Sequence, residues 1–544
     1  MSISATYDVL VVGSGASGAM AAQTLGVEGV RVGVVDVGER DATYGELVPA
    51  TDFTTIRTTD PEQHAYFLGR EYDGLSWSDN RVGSQLTPPR SHLVRGTERQ
   101  IPLVSDTFFP LESLAYGGLG GGWGLGCFVF SDEELRRAGL PPDPLREAYQ
   151  VVADRIGISG ARDDAAPYCL GRLEQIQPAP PLEQNLEGLL EAYRRRRACL
   201  NHRGFYVGRS ALALLTEPKD GRAPTSACDM DFWSDHGRSA YRSWITMDTL
   251  RERGAIEYLD GRLVTRFRED ADAVEVEALR IDGTGTERIR ARRLVLAPGA
   301  LGTARIVLRS LDASGRRLPL LSNPYTYMPC VQPRMLGRAI AARKPSFSPL
   351  IMYYDAPDGA GGEILQAAFF SYRSLLLFKL VREVPLSFCD ARRIMHELLS
   401  SFTIAGIHHP DHGDPSRTVR LVPHDDSPTG DALAADYRLR DDEQRRNDRS
   451  EALFARTLRG LGCVPLKTVR TPHGASIHYG GTLPFSADGA PFTLAEDGRL
   501  AGTRRVYVAD GSGLRYLPAK GITLTLMGNA HRVAVGVVEG MRDG

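Results

Sequence analysis

The sequence predicts an α/β protein, α+β when the whole chain is counted: a discontinuous Rossmann-type nucleotide-binding domain carrying an inserted substrate domain on a mixed or antiparallel sheet. Three observations predict it. The chain opens on a strand, a glycine turn and a helix; it closes on another strand–turn–helix unit; and the residues between them alternate polar and apolar, as half-buried strands do. With 544 residues there is length for several modules.

Tyr7 to Val12 is a continuous apolar, β-branched run leading into Gly13-Ser14-Gly15-Ala16-Ser17-Gly18 and a helix-like Ala19 to Leu25. Glycine suits these three positions because the turn is tight, backbone N–H groups must reach a pyrophosphate, and the helix must lie close to the strand. Ala16 lies within the same turn. Val30 to Val35 then reads as a second strand ending at Asp36, 18 residues beyond Gly18, where a carboxylate can accept ribose hydroxyls. A single fingerprint opening so long a chain favours tightly held FAD over a transient nicotinamide.

Gly117-Gly118-Leu119-Gly120-Gly121-Gly122-Trp123-Gly124 has no strand before it. It is read as backbone that must lie close to something flat or charged, such as a flavin ring or the pyrophosphate, with a flexible loop as the plain alternative. Arg292 to Leu308 reads as a strand, a Pro298-Gly299-Ala300 turn and a helix; Val506 to Ala509 is a strand ending at Asp510-Gly511-Ser512, followed by an apolar helix from Ile522 to Val538. Strand ends of this kind are where ligands bind in open parallel sheets. In the middle, Val274 to Glu277 alternate, and Ile364 to Tyr372, Phe402 to Ile407 and Thr418 to Val422 suggest further strands between Pro- and Gly-rich breaks. The expected division is 1–50, 105–135, 237–312 and 470–544 for the FAD domain, and 51–104, 136–236 and 313–469 for the cap.

Lys+Arg of 65 against Asp+Glu of 67 gives a net charge of -2, so no global field draws nucleic acid or an anionic membrane. Arg194 to Arg197 is a solvated helix face, and no apolar run is long enough to span a bilayer. The seven cysteines never come closer than 29 residues, which excludes a CxxC-type site and fits a reducing compartment. A cytoplasmic protein is expected. His408, His409 and His412 form the densest histidine group, but a His-His-Pro turn is a poor metal frame, and no metal is expected.

In order and spacing, the fingerprint with Asp36 and Gly38, the Gly117 to Gly124 cluster, Leu294 to Leu308, and His478 through Arg532 resemble the glucose–methanol–choline (GMC) family of flavin oxidoreductases. The glycine cluster with Trp123, and His478-Tyr479-Gly480-Gly481-Thr482, are similar to its pyranose-oxidase, sugar- and aminosugar-oxidising branch. The resemblance implies FAD held by Gly13, Gly15, Ala16, Gly18, Asp36, Gly38, Gly117, Gly118, Gly122, Trp123, Gly124, Val264, Gly299, Asp510, Gly511 and Thr523. It implies oxidation of a CH–OH group to a carbonyl with His478 as base, since a hydride leaves an alcohol carbon readily only as the hydroxyl proton leaves too. A carbohydrate-like or aminoglycoside-like substrate is expected, as in enzymes of antibiotic biosynthesis, with oxygen or another electron acceptor.

Two departures qualify the resemblance. Gly122 stands where the branch has a flavin-tethering histidine, so non-covalent FAD is expected. Gly521, 11 residues after Asp510, stands where the family usually has a second His or Asn. Lys520 and Asn529 are candidate substitutes, Lys520 as a cation that stabilises a developing alkoxide. Tyr479 and Tyr516 are candidate pocket walls, His408 is a candidate substrate contact, and Asp229, Asp231, Asp235 or Glu363 would suit an aminosugar. A redox-neutral lyase or decarboxylase is the alternative that Gly521 leaves open. Oligomeric state is not readable.

Overall fold

The computed structural model describes residues 7–41, 88–228, 237–339, 347–357, 363–371 and 385–542, with residue 345 and short stretches between 51 and 71. The fold is the expected α/β architecture.

One sheet has parallel strands Ile256–Leu259, Val32–Val35, Tyr7–Val12, Thr286–Leu296 and Val506–Val508 side by side, extended antiparallel by Val274–Arg280 and Arg262–Glu269. These strands are Val-, Leu- and Ile-rich because they are buried within the main core. Register matters most for function. Val12 lies opposite Val35 and Leu296, and Leu296 opposite Val508, so four strands end level at one carboxyl edge. The residues that follow them, Gly13, Asp36, Ala297-Pro298-Gly299 and Asp510, therefore share that edge, although they lie up to about 500 residues apart in sequence.

The helix Ala16–Val27 starts directly behind the first strand and is almost wholly buried. It packs against Thr523–Arg542, whose Leu524, Met527, Ala530, Val533, Ala534 and Val537 recur at helical spacing and are inaccessible. Pro142–Ile156 packs on the same C-terminal helix, with the Tyr149 hydroxyl 2.7 Å from Thr525 Oγ1. Thus the two ends of the chain build one layer.

The second large sheet is antiparallel, with strands Val464–Pro465, Tyr325–Val331, Phe402–His408, Leu365–Phe370, Leu350–Tyr354 and Phe205–Arg209 in that order, and Val469–Arg470 also pairing with Tyr325–Val331. Its outer face packs under the helices Gln184–Arg195 and Asp441–Gly460 through Leu186, Leu189, Leu190, Phe454 and Leu458. Its other face looks towards the first sheet. Two short ladders stitch the sheets together: Leu321–Ser322 with Tyr479–Gly480, and Asp411–His412 with Tyr516–Leu517. No helix among the described residues is long and apolar enough to cross a membrane.

Candidate active site

A cavity of about 380 Å³ runs from the first glycine turn to the inner face of the antiparallel sheet. One end is lined by Gly13, Ser14, Gly15, Ala16, Asp36 and Val264, whose strand starts hydrogen-bonded to the Asp36 carbonyl; further along come Gly118, Gly122, Trp123, Gly124 and Gly299, and then Asp510, Gly511, Thr523, Gly521, Phe128, Gln366, His408, His478 and Tyr479.

The glycine turn is built by contact. A Cβ on Gly18 would collide with the carbonyl of Gly13, so only glycine lets the helix start this close to the strand. A Cβ on Gly15 would enter open space, which is what a position facing a bulky ligand requires. Gly118, at φ +56°, approaches within 3.2 Å of the Gly15 Cα, measured from its notional Cβ, so the second glycine cluster closes down on the first. That cluster is a short helical turn, Gly118–Gly121, held by its neighbours. Trp123 Nε1 donates to the Tyr241 carbonyl at 2.9 Å, and Arg242 donates to the Trp123 carbonyl at 2.7 Å.

Ser14 joins the pieces. Its hydroxyl accepts from the Gly117 N–H at 2.8 Å and donates to Asp36, whose carboxylate also takes the Ser14 N–H at 3.1 Å and the Tyr258 hydroxyl at 3.2 Å. Burial raises Asp36 to about 6, against the pull of these donors. Gly38, at φ +64°, has no room for a Cβ because the Tyr258 hydroxyl lies there. At the other end Asp510 accepts from the Thr303 hydroxyl at 2.6 Å and from Ser512, and its burial raises it too. The run of the cavity from the fingerprint turn to the antiparallel sheet, the open space at Gly15 and Gly299, and a carboxylate at one end suit an extended dinucleotide such as FAD.

His478 lies in the loop before the Tyr479–Gly480 strand. Burial alone lowers it to about 4, so it is neutral at pH 7. His408 ends its strand against it, the rings 4.8 Å apart and 22° from parallel. Tyr479 lines the cavity with its ring while its hydroxyl is committed to the Leu111 carbonyl.

Other expected residues lie elsewhere. Lys520 is corrected: it does not line the cavity, but turns inward to an ion pair with Glu134 at 2.8 Å and donates to the Val129 carbonyl at 3.2 Å, because a buried ammonium needs a counter-charge. Tyr516 is corrected likewise: it lies outside the lining, under the Arg137 guanidinium at 4.0 Å and beside His412. Glu363 is bound to His412 and Arg137 and does not line the cavity. Asn529 accepts from Arg532. Gly18, Gly38 and Gly117 shape the wall from behind rather than face the cavity. Asp229, Asp231 and Asp235 lie outside the described residues.

Several residues were missed by sequence reasoning: Ser14, Tyr258, Phe128, Gln366 and the Glu112–Arg305 ion pair at 2.6 Å. Ser14 alone carried a signal, as the hydroxyl inside the fingerprint.

No family model matches the sequence. Paromamine 6'-oxidase of Streptomyces fradiae is 26% identical over 564 aligned positions, covering 98% of this chain and 91% of that one. In fold the chain is similar to pyridoxine 4-oxidase from Mesorbium loti, with a TM-score of 0.58 and 16% identity over 97% of this chain and 99% of that one. In its ordered motifs, their convergence on one cavity and this end-to-end likeness, the chain resembles the glucose–methanol–choline family of flavin oxidoreductases.

Proposed function

We propose that the protein is an FAD-dependent oxidoreductase that converts a CH–OH group of a polar small molecule to a carbonyl, with His478 as the base and an aminosugar or related sugar as the substrate class. The observation that carries this reading is the cavity joining the fingerprint turn and Asp36 at one end to a half-buried, neutral histidine at the other. Gly13 to Gly18, Asp36, Gly118, Gly122 to Gly124, Val264, Gly299, Asp510, Gly511 and Thr523 would hold FAD without a covalent link, since Gly122 offers no side chain for one. When bound, the flavin supplies the acceptor for the two electrons and the hydrogen that leave the alcohol carbon.

The protein does the rest. Neutral His478 can take the hydroxyl proton as the carbonyl forms. The aminosugar preference rests on the name of the Streptomyces relative, and both relatives' names make dioxygen the acceptor to try first. The division into an FAD domain (1–50, 105–135, 237–312, 470–544) and a cap, and a cytoplasmic location, belong to the same proposal.

One observation favours the redox-neutral alternative: the space beside Gly521 is taken by the Phe128 ring, not by a polar group. An anaerobic absorbance experiment separates the two. The yellow protein is mixed in turn with aminoglycosides, sugars and pyridoxine-type alcohols. Bleaching by one class is expected, with colour returning in air; intact colour with every alcohol would overturn the oxidation reading.

A further inference from the structure

His408 reaches the cavity from the end of a strand and His478 from a loop, and their arrangement does more than place a base. The two rings stack face to face at 4.8 Å, so they cannot hydrogen-bond each other edge to edge. Their edges instead run side by side. Both Nδ1 atoms are shielded and have no hydrogen-bond partner among the described residues, which leaves Nε2 as the nitrogen through which each ring can address a ligand. A histidine base is ordinarily held in one tautomer by a carbonyl or carboxylate on its other nitrogen. Here neither ring is held so, and each can present Nε2 as a donor or as an acceptor.

Two nitrogens that keep the ring spacing, each at about 2.8 Å from one oxygen, subtend an angle of roughly 120° there, close to the lone-pair directions of a hydroxyl or alkoxide. The place where a second polar side chain could come from the C-terminal loop is closed: Gly521 has none, and a Cβ there would already touch Phe128 at 3.1 Å. His408 is built into its position. Its strand pairs with Tyr325 on one side and Gln366 on the other, and the Tyr325 ring packs on its far face at 4.3 Å.

We propose that His408 is the second catalytic group of this site, donating a hydrogen bond from Nε2 to the substrate oxygen whose proton passes to His478. The inference rests on the alcohol-oxidation reading. In the step, the O–H bond breaks and its proton goes to His478; the C–H bond breaks and its hydrogen leaves with the electron pair for the flavin; the C=O bond forms. His408 keeps its proton and stabilises the negative charge that builds on oxygen. The groups facing His408 are His478, His409 and Tyr325, with uncharged Gln366 opposite in the sheet.

The test uses the flavin-loaded protein and the alcohol that bleaches it. His408→Leu is expected to slow anaerobic bleaching at saturating alcohol by about 10²–10³-fold, the loss typical of one oxyanion donor, with KM changed less than threefold. His408→Gln, which keeps an N–H, is expected to recover most of the rate and guards against a folding defect in the leucine variant. A second readout needs no turnover. In dithionite-reduced protein, adding the alcohol is expected to move two histidine side-chain ¹⁵N signals, one lost in His408→Leu and one in His478→Ala. Wild-type bleaching with an unaltered rate in both His408 variants, or movement of the His478 signal alone, would overturn the proposal and leave the oxidation reading intact. A wild type that no alcohol bleaches would overturn both.

Discussion

The backbone N–H of Asn323 donates to the carbonyl of His478 at 3.0 Å. The side chain of the same residue, 1% exposed, donates to the carbonyls of His409 at 2.8 Å and Pro518 at 3.1 Å. One residue thus ties together the loop of His478, the strand end of His408 and the segment leading to Gly521. Asn323→Ala keeps the backbone bond but takes the side-chain donor from the buried His409 carbonyl and leaves the Pro518 carbonyl with the Lys520 N–H alone, which costs about 1–3 kcal/mol. The expected outcome is a lower denaturant midpoint, normal flavin content and a bleaching rate reduced about 10-fold at saturating substrate. An unchanged rate would mean that the rest of the loop holds the histidines without it.

Gly521→Asn supplies the residue type that the family resemblance calls for, yet its Cβ would stand 3.1 Å from the Phe128 ring and 3.6 Å from the Gly126 carbonyl. Overpacking of this kind costs about 1–3 kcal/mol. The single variant is expected to lose stability and flavin, and Gly521→Asn with Phe128→Ala to recover both, as read by thermal melting and absorbance near 450 nm. Equal damage in the double variant would place the strain elsewhere.

Lys520→Met removes one partner of a buried ion pair whose other member, Glu134, also accepts the Ser131 N–H of a helix cap. Breaking such a pair from one side costs about 3–5 kcal/mol. A strong drop in melting temperature is expected, with the bleaching rate per bound flavin within about threefold of wild type. Loss of rate in a protein of normal stability would return Lys520 to the catalytic site.

The buried histidines set an acid limit. His478 and His409 are lowered to about 4 by burial, below the value of about 6.5 in an unfolded chain. Between these values the unfolded chain binds protons that the folded one does not, so stability falls as pH falls from about 6.5 to about 4 and is unaffected by these groups above that window. For catalysis the same lowering keeps His478 unprotonated, so the bleaching rate should be flat from about pH 5.5 to 8 and fall below about pH 4.5. A midpoint near 6.5 would show a solvated imidazole.

Most of the fold was legible because strand–turn–helix units announce themselves locally: the runs at Tyr7, Leu294 and Val506 needed no knowledge of one another. Their alignment at one edge was legible only through the rule for parallel sheets. His478 stands out through its motif, and His408 through the dense histidine group that it forms with His409 and His412. What escaped depends on long-range packing. Nothing near Lys520 in sequence reveals Glu134, 386 residues away, and nothing near Gly521 reveals Phe128. Asn323 looks like an ordinary turn residue beside Pro324, since its importance lies in carbonyls from three other segments.

The level ends of the four parallel strands also bear on the order of events during synthesis. Val12 is made about 280 residues before its sheet neighbour Leu296, and about 500 before the strand Val506–Val508 and the helix Thr523–Arg542 that covers Ala16–Val27. At ~5–20 residues per second, roughly 25–100 s separate the fingerprint turn from the helix that encloses it. During that interval the first βαβ unit has exposed strand edges and an apolar helix without its cover. Closure of the fingerprint turn therefore waits for the strand Val506–Val508 and the helix Thr523–Arg542, and a ribosome stalled before residue 506 holds a product whose first helix lacks its cover.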